Sequence, residues 1–250
     1  MPTALITGAT AGIGAAFARR LAADGFSLVL VARDESRLAS SAGTLKLRYG
    51  VAVEILPADL ATNQGLERVE ARIADGVDLL VNNAGFAHEK AFLTVPLEDE
   101  LAMLKVHCEA VLRLTLAALP VIEARGRGGI INVASVAAYF NRGTYGASKS
   151  WVLSFSEAVA SEMKNPRVKV MALCPGFVHT EFHERASMDM SGIPEFLWLN
   201  ADDVAKTAMR DLAMGKAASV PGALYKAIVA VGQLVPSSVQ QAVNRRLSRR

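Results

Sequence analysis

Thr3-Ala4-Leu5-Ile6-Thr7-Gly8-Ala9-Thr10-Ala11-Gly12-Ile13-Gly14 opens the chain with a short apolar run that breaks into three closely spaced glycines. A strand that turns at once into a helix needs glycine at the turn. A pyrophosphate can approach the helix N-terminus only where no Cβ stands in its way. A glycine-rich turn is weak evidence alone, but here a strand precedes it and a helical pattern follows, which is the context it requires.

The same alternation continues outward from this unit. Near-continuous apolar runs at 3–7, 27–32, 51–56, 77–81, 129–134 and 167–173 read as strands buried on both faces. Helical stretches start at Gly12, Glu35, Thr62, Glu98 and Tyr145, and Gly25 and Gly50 stand where helix C-caps belong. Strand and helix in alternation predict an α/β fold, a single-domain Rossmann-type doubly wound parallel sheet with helices on both faces, spanning 1–250. Such a sheet binds ligands outside the carboxyl ends of its strands, at the switch point. Pro120 is expected to kink or end the long helix 98–125. After Leu173 the alternation fails, and 177–200 mixes glycine and proline with Phe177, Phe182, Phe196 and Trp198. That segment reads either as a lid over a hydrophobic substrate or as a helix pair packed on the body.

Composition narrows the classes. At 250 residues and 52% hydrophobic content the chain can bury a large core. Its net charge of +3 comes from Arg245, Arg246, Arg249 and Arg250, and the remainder is close to neutral, which argues against a nucleic-acid surface. The arginine tail reads as a solvated helix end, with contact to an anionic membrane as the lesser alternative. No basic leader precedes Thr3 and no apolar run reaches bilayer length, so a soluble, cytoplasmic protein is expected. Cys108 and Cys174 lack paired spacing, so reduced thiols are expected.

Chemistry is expected at Thr144-Tyr145-Gly146-Ala147-Ser148-Lys149. Tyr145 and Lys149 lie one helical turn apart on one face. A phenol titrates near 10 and needs help to act near neutral pH. An ammonium at about 5 Å, in an effective dielectric near 20, is worth roughly 3 kcal/mol, or about two pKa units. Of the four tyrosines only Tyr145 has a lysine four residues on. At the end of the second strand an acid would select a free ribose 2′-hydroxyl, but the chain has Ala32 and Arg33, which favours NADP over NAD. Asp34 reads as an N-cap, and Asp59 either meets the adenine amino group or is an ordinary loop acid. Asn82-Asn83-Ala84-Gly85 ends the fourth strand, where both amides are expected to pin the glycine turn and Gly85 to leave room for the cofactor.

Gly8-x-x-x-Gly12-x-Gly14, Asn82-Asn83-Ala84-Gly85, Ser135, Tyr145-x-x-x-Lys149 and Pro175-Gly176-x-Val178-x-Thr180 together resemble the ordered motifs of the short-chain dehydrogenase/reductase family. The resemblance implies an NADP(H)-dependent oxidoreductase that moves hydride between the nicotinamide and a carbonyl or alcohol. It implies Tyr145 as proton donor, Lys149 as its electrostatic partner and ribose ligand, and Ser135 as the group that holds the substrate oxygen. Cofactor contacts are implied at Gly8, Thr10, Gly12, Ile13, Gly14, Leu60, Asn83, Ala84, Gly85, Pro175, Gly176, Val178 and Thr180, with Arg33 and Asp59 beside them. It further implies a homodimer or homotetramer paired through the helices 98–125 and 145–164. The chain departs from the pattern twice: Ser135 to Tyr145 is a short connection, and the family's helix asparagine is replaced by His107, read here either as a proton relay or as packing. The aromatic 177–200 segment favours a hydrophobic ketone, aldehyde, acyl or steroid-like substrate over a phosphorylated sugar. His179 and His183 share a metal-like spacing but lack a third ligand, so no metal is expected. A non-catalytic NADP sensor is the alternative function. It would not need Ser135, Tyr145 and Lys149 together.

Overall fold

Side chains alternate along β1 (Thr3–Thr7), sending Ala4 and Ile6 to one face and Leu5 to the other, and all three are fully buried. The next strand, β2 (Ser27–Ala32), repeats the division with Leu28 and Leu30 against Val29 and Val31. A strand with apolar residues on both faces needs cover on both, and the helices supply it. The computed structural model describes residues 1–88, 92–140, 143–186 and 188–234. Arg245, Arg246, Arg249 and Arg250, and with them any membrane contact of the tail, lie outside the described residues.

One face carries α1 (Gly12–Ala23), α2 (Glu35–Tyr49) and α8 (Ala201–Ala213). The other carries α3 (Asn63–Ala74), α5 (Ala110–Ala124) and α6 (Gly143–Glu162), with α4 (Leu97–Leu104) leading into α5. The sheet continues through β3 (Val53–Pro57), β4 (Leu79–Asn82), β5 (Gly128–Val133), β6 (Val168–Leu173) and β7 (Ala218–Ser219). Among the described residues it has seven parallel strands in the order β3-β2-β1-β4-β5-β6-β7. The order reverses between β1 and β4, which is therefore the switch point. The short α7 (Phe182–Arg185) lies between β6 and α8, and α9 (Ala223–Leu234) follows β7. No helix of the described residues is long and apolar enough to cross a membrane.

Local signals hold at most boundaries. Asp34 caps α2 by accepting from the Arg37 amide at 3.0 Å, and Gly50 ends that helix at a φ of +66°. Thr62 caps α3. Four expectations are corrected or narrowed. The third and fourth strands each begin two residues later than their apolar runs, because Gly50 and Gly76 first have to turn the chain at positive φ. The two-residue β7 is too short to register as an apolar run. Of the two readings of Pro120, an end at the proline does not occur, for α5 continues to Ala124. The carbonyl that loses its donor belongs to Leu116, on the exposed side of the helix, where solvent replaces it. Finally, the long helix is not uniform, for a π-helical turn at Lys105–Glu109 separates α4 from α5 with His107 at its centre.

Candidate active site

Three strand ends meet at the switch point through buried polar side chains. Thr7 Oγ1 accepts the amides of Asn83 and Ala84, each at 2.9 Å, and Asn83 Nδ2 donates to the carbonyls of Thr7 at 2.8 Å and Gly8 at 3.2 Å. Asn83 thus pins the glycine turn as expected. Asn82 does not. Its amide points the other way, donating to Asn132 Oδ1 at 2.9 Å, and Asn132 in turn donates to Ser156 Oγ at 3.0 Å. Successive strand residues face opposite sides, so adjacent asparagines cannot share one target.

The glycine turn leaves an open helix terminus. At Gly14 a Cβ would stand 2.2 Å from the Gly8 carbonyl oxygen and 2.5 Å from Asn83 Nδ2. Gly8 and Gly12 adopt φ of +65° and +53°, and a Cβ on Gly12 would meet the Thr180 methyl at 2.8 Å. The first turn of α1 has no side-chain cap and no acidic residue, so its amides and its dipole are available to an anion. These features fit a dinucleotide pyrophosphate. Arg33 is exposed at the end of β2 and makes no hydrogen bond or ion pair with the described residues, while Ala32 beside it offers no acid. Asp59 Oδ1 accepts the Ala61 amide at 3.0 Å, and Leu60 is a core side chain, so only its backbone faces outward chemistry. Thr10 and Ile13 stay partly exposed beside this turn. Pro175 and Val178 are buried at the end of β6, and the Pro175 carbonyl accepts the Val136 amide at 2.9 Å.

Ser135, Tyr145 and Lys149 come together past the end of β5. Ser135 caps a 3₁₀ turn at Val136–Tyr139, accepting the Ala137 amide at 3.1 Å, which leaves its hydroxyl hydrogen to donate elsewhere. Lys149 is 5% exposed and donates to the Val133 carbonyl at 2.9 Å, with its ammonium 5.8 Å from the centre of the Tyr145 ring. Burial pulls Lys149 down to about 8. The Tyr145 phenol moves against expectation. Burial raises it to about 12, although a hydrogen bond with Ser135 pulls the other way. The ammonium is anchored on Val133 and faces the ring, so its attraction for a phenolate is outweighed by the lost hydration. The Tyr145 ring keeps some exposed surface, so this is the desolvation of a cleft wall and not of a sealed core.

His107 is fully buried, with its ring 5.6 Å from that of Tyr145. Its Nε2 accepts the Phe86 amide at 3.2 Å, which assigns the ring proton to Nδ1. Nδ1 lies 2.8 Å from Ser148 Oγ, and Ser148 donates onward to the Tyr145 carbonyl at 2.8 Å. Burial and the Lys149 charge hold the imidazole well below its ordinary value, so it is neutral. Both ring nitrogens are thus engaged, Nε2 with the Phe86 amide and Nδ1 with the Ser148 hydroxyl. Gly85 makes room for this group as well, since a Cβ there would stand 3.0 Å from His107 Nε2 and 3.5 Å from Lys149 Nζ.

The 177–200 segment contributes an aromatic cluster with α7 and a 3₁₀ turn at Glu195–Leu197 as its only helical pieces among the described residues. Phe182 lies 6.0 Å from the Tyr145 ring, and Trp198 contacts Phe177, His179 and His183. His179 is turned to Glu195 at 3.1 Å, away from His183. Two residues without a reading from the sequence hold the 177–200 segment to the body beside the site. Arg37 reaches from α2 to both carboxylate oxygens of Glu181, at 2.7 and 3.1 Å, and to the Thr10 carbonyl at 3.4 Å. Its position four residues after Arg33, in the first turn of α2, was the available signal. Tyr225 of α9 reaches the foot of the segment from 48 residues away, with no local signal.

The chain matches the family model described as short chain dehydrogenase over residues 2–191. It is 34% identical over 187 residues to a very-long-chain 3-oxoacyl-CoA reductase of Pyrenophora tritici-repentis, covering 71% of this chain and 55% of that protein. It therefore spans about half the length of the first curated relatives it matches. Among solved structures it resembles a short-chain dehydrogenase from Sphingobium yanoikuyae in complex with NADPH, at TM-score 0.85 and 34% identity over 93% of this chain and 94% of the other. It also resembles the bulky-bulky ketone specific alcohol dehydrogenase from Comamonas testosteroni, at TM-score 0.80 and 27% identity over 99% and 94%. With its parallel sheet, its glycine turn and a match across most of its length, the chain belongs to the short-chain dehydrogenase family.

Proposed function

We propose that the protein is an NADPH-dependent oxidoreductase that reduces a hydrophobic carbonyl compound, or oxidises the corresponding alcohol. The observation that carries this reading is the convergence of the Ser135 hydroxyl, a protonated Tyr145 hydrogen-bonded to it and a buried Lys149 ammonium beside an open helix terminus. When bound, the nicotinamide supplies or accepts the hydride. With a phenol near 12, Tyr145 holds its proton at neutral pH and gives it to the carbonyl oxygen as that oxygen gains charge. Ser135 donates to the same oxygen and stabilises the developing charge. At about 8, Lys149 stays mainly cationic at neutral pH. Val133 takes one of its hydrogens, leaving two for ribose hydroxyls and its charge for the phenolate left after transfer.

Arg33 supports NADPH as the cofactor because an exposed guanidinium with no partner among the described residues suits a 2′-phosphate. The NADPH complex of the Sphingobium relative points the same way. The 177–200 segment acts as a lid, its aromatic face turned to Tyr145 through Phe182. That face and the bulky-ketone relative favour an apolar substrate. His107 acts by positioning, because its hydrogen bonds tie Phe86 to the Tyr145 backbone through Ser148. Two copies pair through α4, α5 and α6, where Leu97, Leu101, Leu104 and Leu116 are exposed and Trp151 stacks on Phe155 at 4.9 Å.

Four outcomes test these assignments. Tyr145→Phe is expected to remove most carbonyl-dependent NADPH oxidation while NADPH affinity stays within about twofold; near-parental kcat would refute the mechanism and revive the sensor reading. Arg33→Ala should weaken NADPH about ten- to a hundredfold, the scale of a lost charged hydrogen bond, and leave NADH nearly unchanged in a fluorescence titration. An unaltered preference removes Arg33 from the cofactor site. For His107→Leu, kcat should drop roughly tenfold through misplacement of Tyr145, with the acid limb of the kcat–pH profile where it was. A displaced limb would make His107 a proton relay instead. Light scattering should give a dimer or tetramer for the parent and a smaller species for Leu101→Lys; a parent that is monomeric at micromolar concentration rules out the pairing.

A further inference from the structure

Residue 225 lies beyond the span 2–191 matched by the family model, yet its side chain reaches the edge of the active site. Tyr225 is 4% exposed, and its ring occupies the space above Gly176, where a Cβ would stand 2.0 to 2.3 Å from three ring carbons. Gly176 is not at positive φ among the described glycines, so glycine is required there for packing room. The Tyr225 hydroxyl accepts the Phe177 amide at 3.0 Å and donates to the Leu197 carbonyl at 2.7 Å. Burial raises its pKa, which keeps the hydrogen that the second bond needs.

These bonds join two points that are twenty residues apart in the chain. Beside them, the Leu199 amide donates to the Phe177 carbonyl at 2.8 Å, and the His179 amide to the Leu199 carbonyl at 3.1 Å. The segment between therefore loops out from a narrow neck, closed by backbone pairing on one side and by one phenol on the other. The far end of α9 touches the opposite wall of the site. A Cβ on Gly232 would lie 2.6 Å from the ring of Phe140, the residue that ends the 3₁₀ turn capped by Ser135. One helix thus spans the lid's neck and the turn of the catalytic serine.

We propose that Tyr225 is a positioning residue for substrate selection: its hydroxyl fixes the width of the lid's neck and so seats Phe182 against Tyr145, favouring carbonyl compounds bulky enough to fill the aromatic face. This rests on reading 177–200 as the lid. Tyr225→Phe keeps the ring on Gly176 and deletes only the hydroxyl, leaving a partly buried amide and a partly buried carbonyl without their partner.

The test combines steady-state kinetics with amide hydrogen exchange on the full chain. In Tyr225→Phe, KM for a bicyclic aryl ketone is expected to rise about five- to tenfold, while kcat and KM for propanal and the affinity for NADPH stay within about twofold. Exchange at Phe177 and across 178–198 should quicken, with the strands unchanged. Unaltered exchange there overturns the clamp itself. Faster exchange without the size-dependent change in KM overturns the lid reading and the positioning role with it. Loss of NADPH binding together with faster exchange in the strands would make Tyr225 a residue of the general fold, which also overturns the proposal.

Discussion

The contact between the Cα of Gly14 and the carbonyl of Gly8 is the constraint on which the arrangement depends. A methyl group at residue 14 would lie 2.2 Å from that oxygen, well inside any tolerable contact. Because the gap is closed so tightly, α1 starts directly against the end of β1, and Asn83 at the end of β4 can reach both carbonyls of the turn. The result is a helix terminus without a side-chain cap, facing the crevice outside the carboxyl ends of the paired strands β1 and β4. No catalytic side chain lies in this turn. It sets where the catalytic side chains have to be, since Thr180 already rests on Gly12 and Lys149 approaches Gly85 from the other side.

Burial, not pairing, decides the charge states around that crevice. Tyr145 is pushed up, and Lys149 and His107 are pushed down, so each group shifts toward its neutral form. Simple Coulomb attraction between an ammonium and a phenolate at about 5 Å would give roughly two units in favour of the ionised tyrosine. The phenol is held in the opposite direction because burial strips hydration from a phenolate, while the ammonium that would attract it is tied to the Val133 carbonyl. A donor of this kind is passive until an oxygen beside it gains charge. His107 follows the same logic: an Nε2–H would be driven against the Phe86 amide, so the neutral ring that satisfies both neighbours is the one the fold holds.

Much of this was legible in the sequence where the cause was local. The glycine turn, the Asp34 cap and the Tyr145–Lys149 spacing each depend on a few adjacent residues, and each stands where its pattern puts it. What was not legible depended on direction or distance. Asn82 and Asn83 look alike as letters, but the pleat turns one toward the glycine turn and the other toward Asn132. The π-helical turn at His107 leaves no apolar signature, since it changes register within a continuous helix. Whether an imidazole can relay a proton is decided by what its two nitrogens already touch, and residue type alone does not state that. Tyr225 could not be found at all without the fold, because its partners are brought to it by the sheet.

The lid segment shows how magnitudes separate visible contacts from those that matter. Arg37 and Glu181 form a two-pronged ion pair, reinforced by Arg185, but the Arg37 and Glu181 side chains are 37% and 45% exposed. Pairs in that setting are worth about 0 to 1 kcal/mol and weaken with salt. The neck is different, for its bonds converge on a buried phenol, salt does not screen them, and each partly buried backbone group deprived of its partner costs up to about 1 to 3 kcal/mol. Closure at the neck must therefore dominate over the surface pair. The ion pair can open while the neck stays shut, so the outer part of the segment is free to move over a base that is held. A site built this way keeps Ser135, Tyr145 and Lys149 on rigid strand and helix ends, and leaves adaptation to the aromatic residues between Phe177 and Trp198.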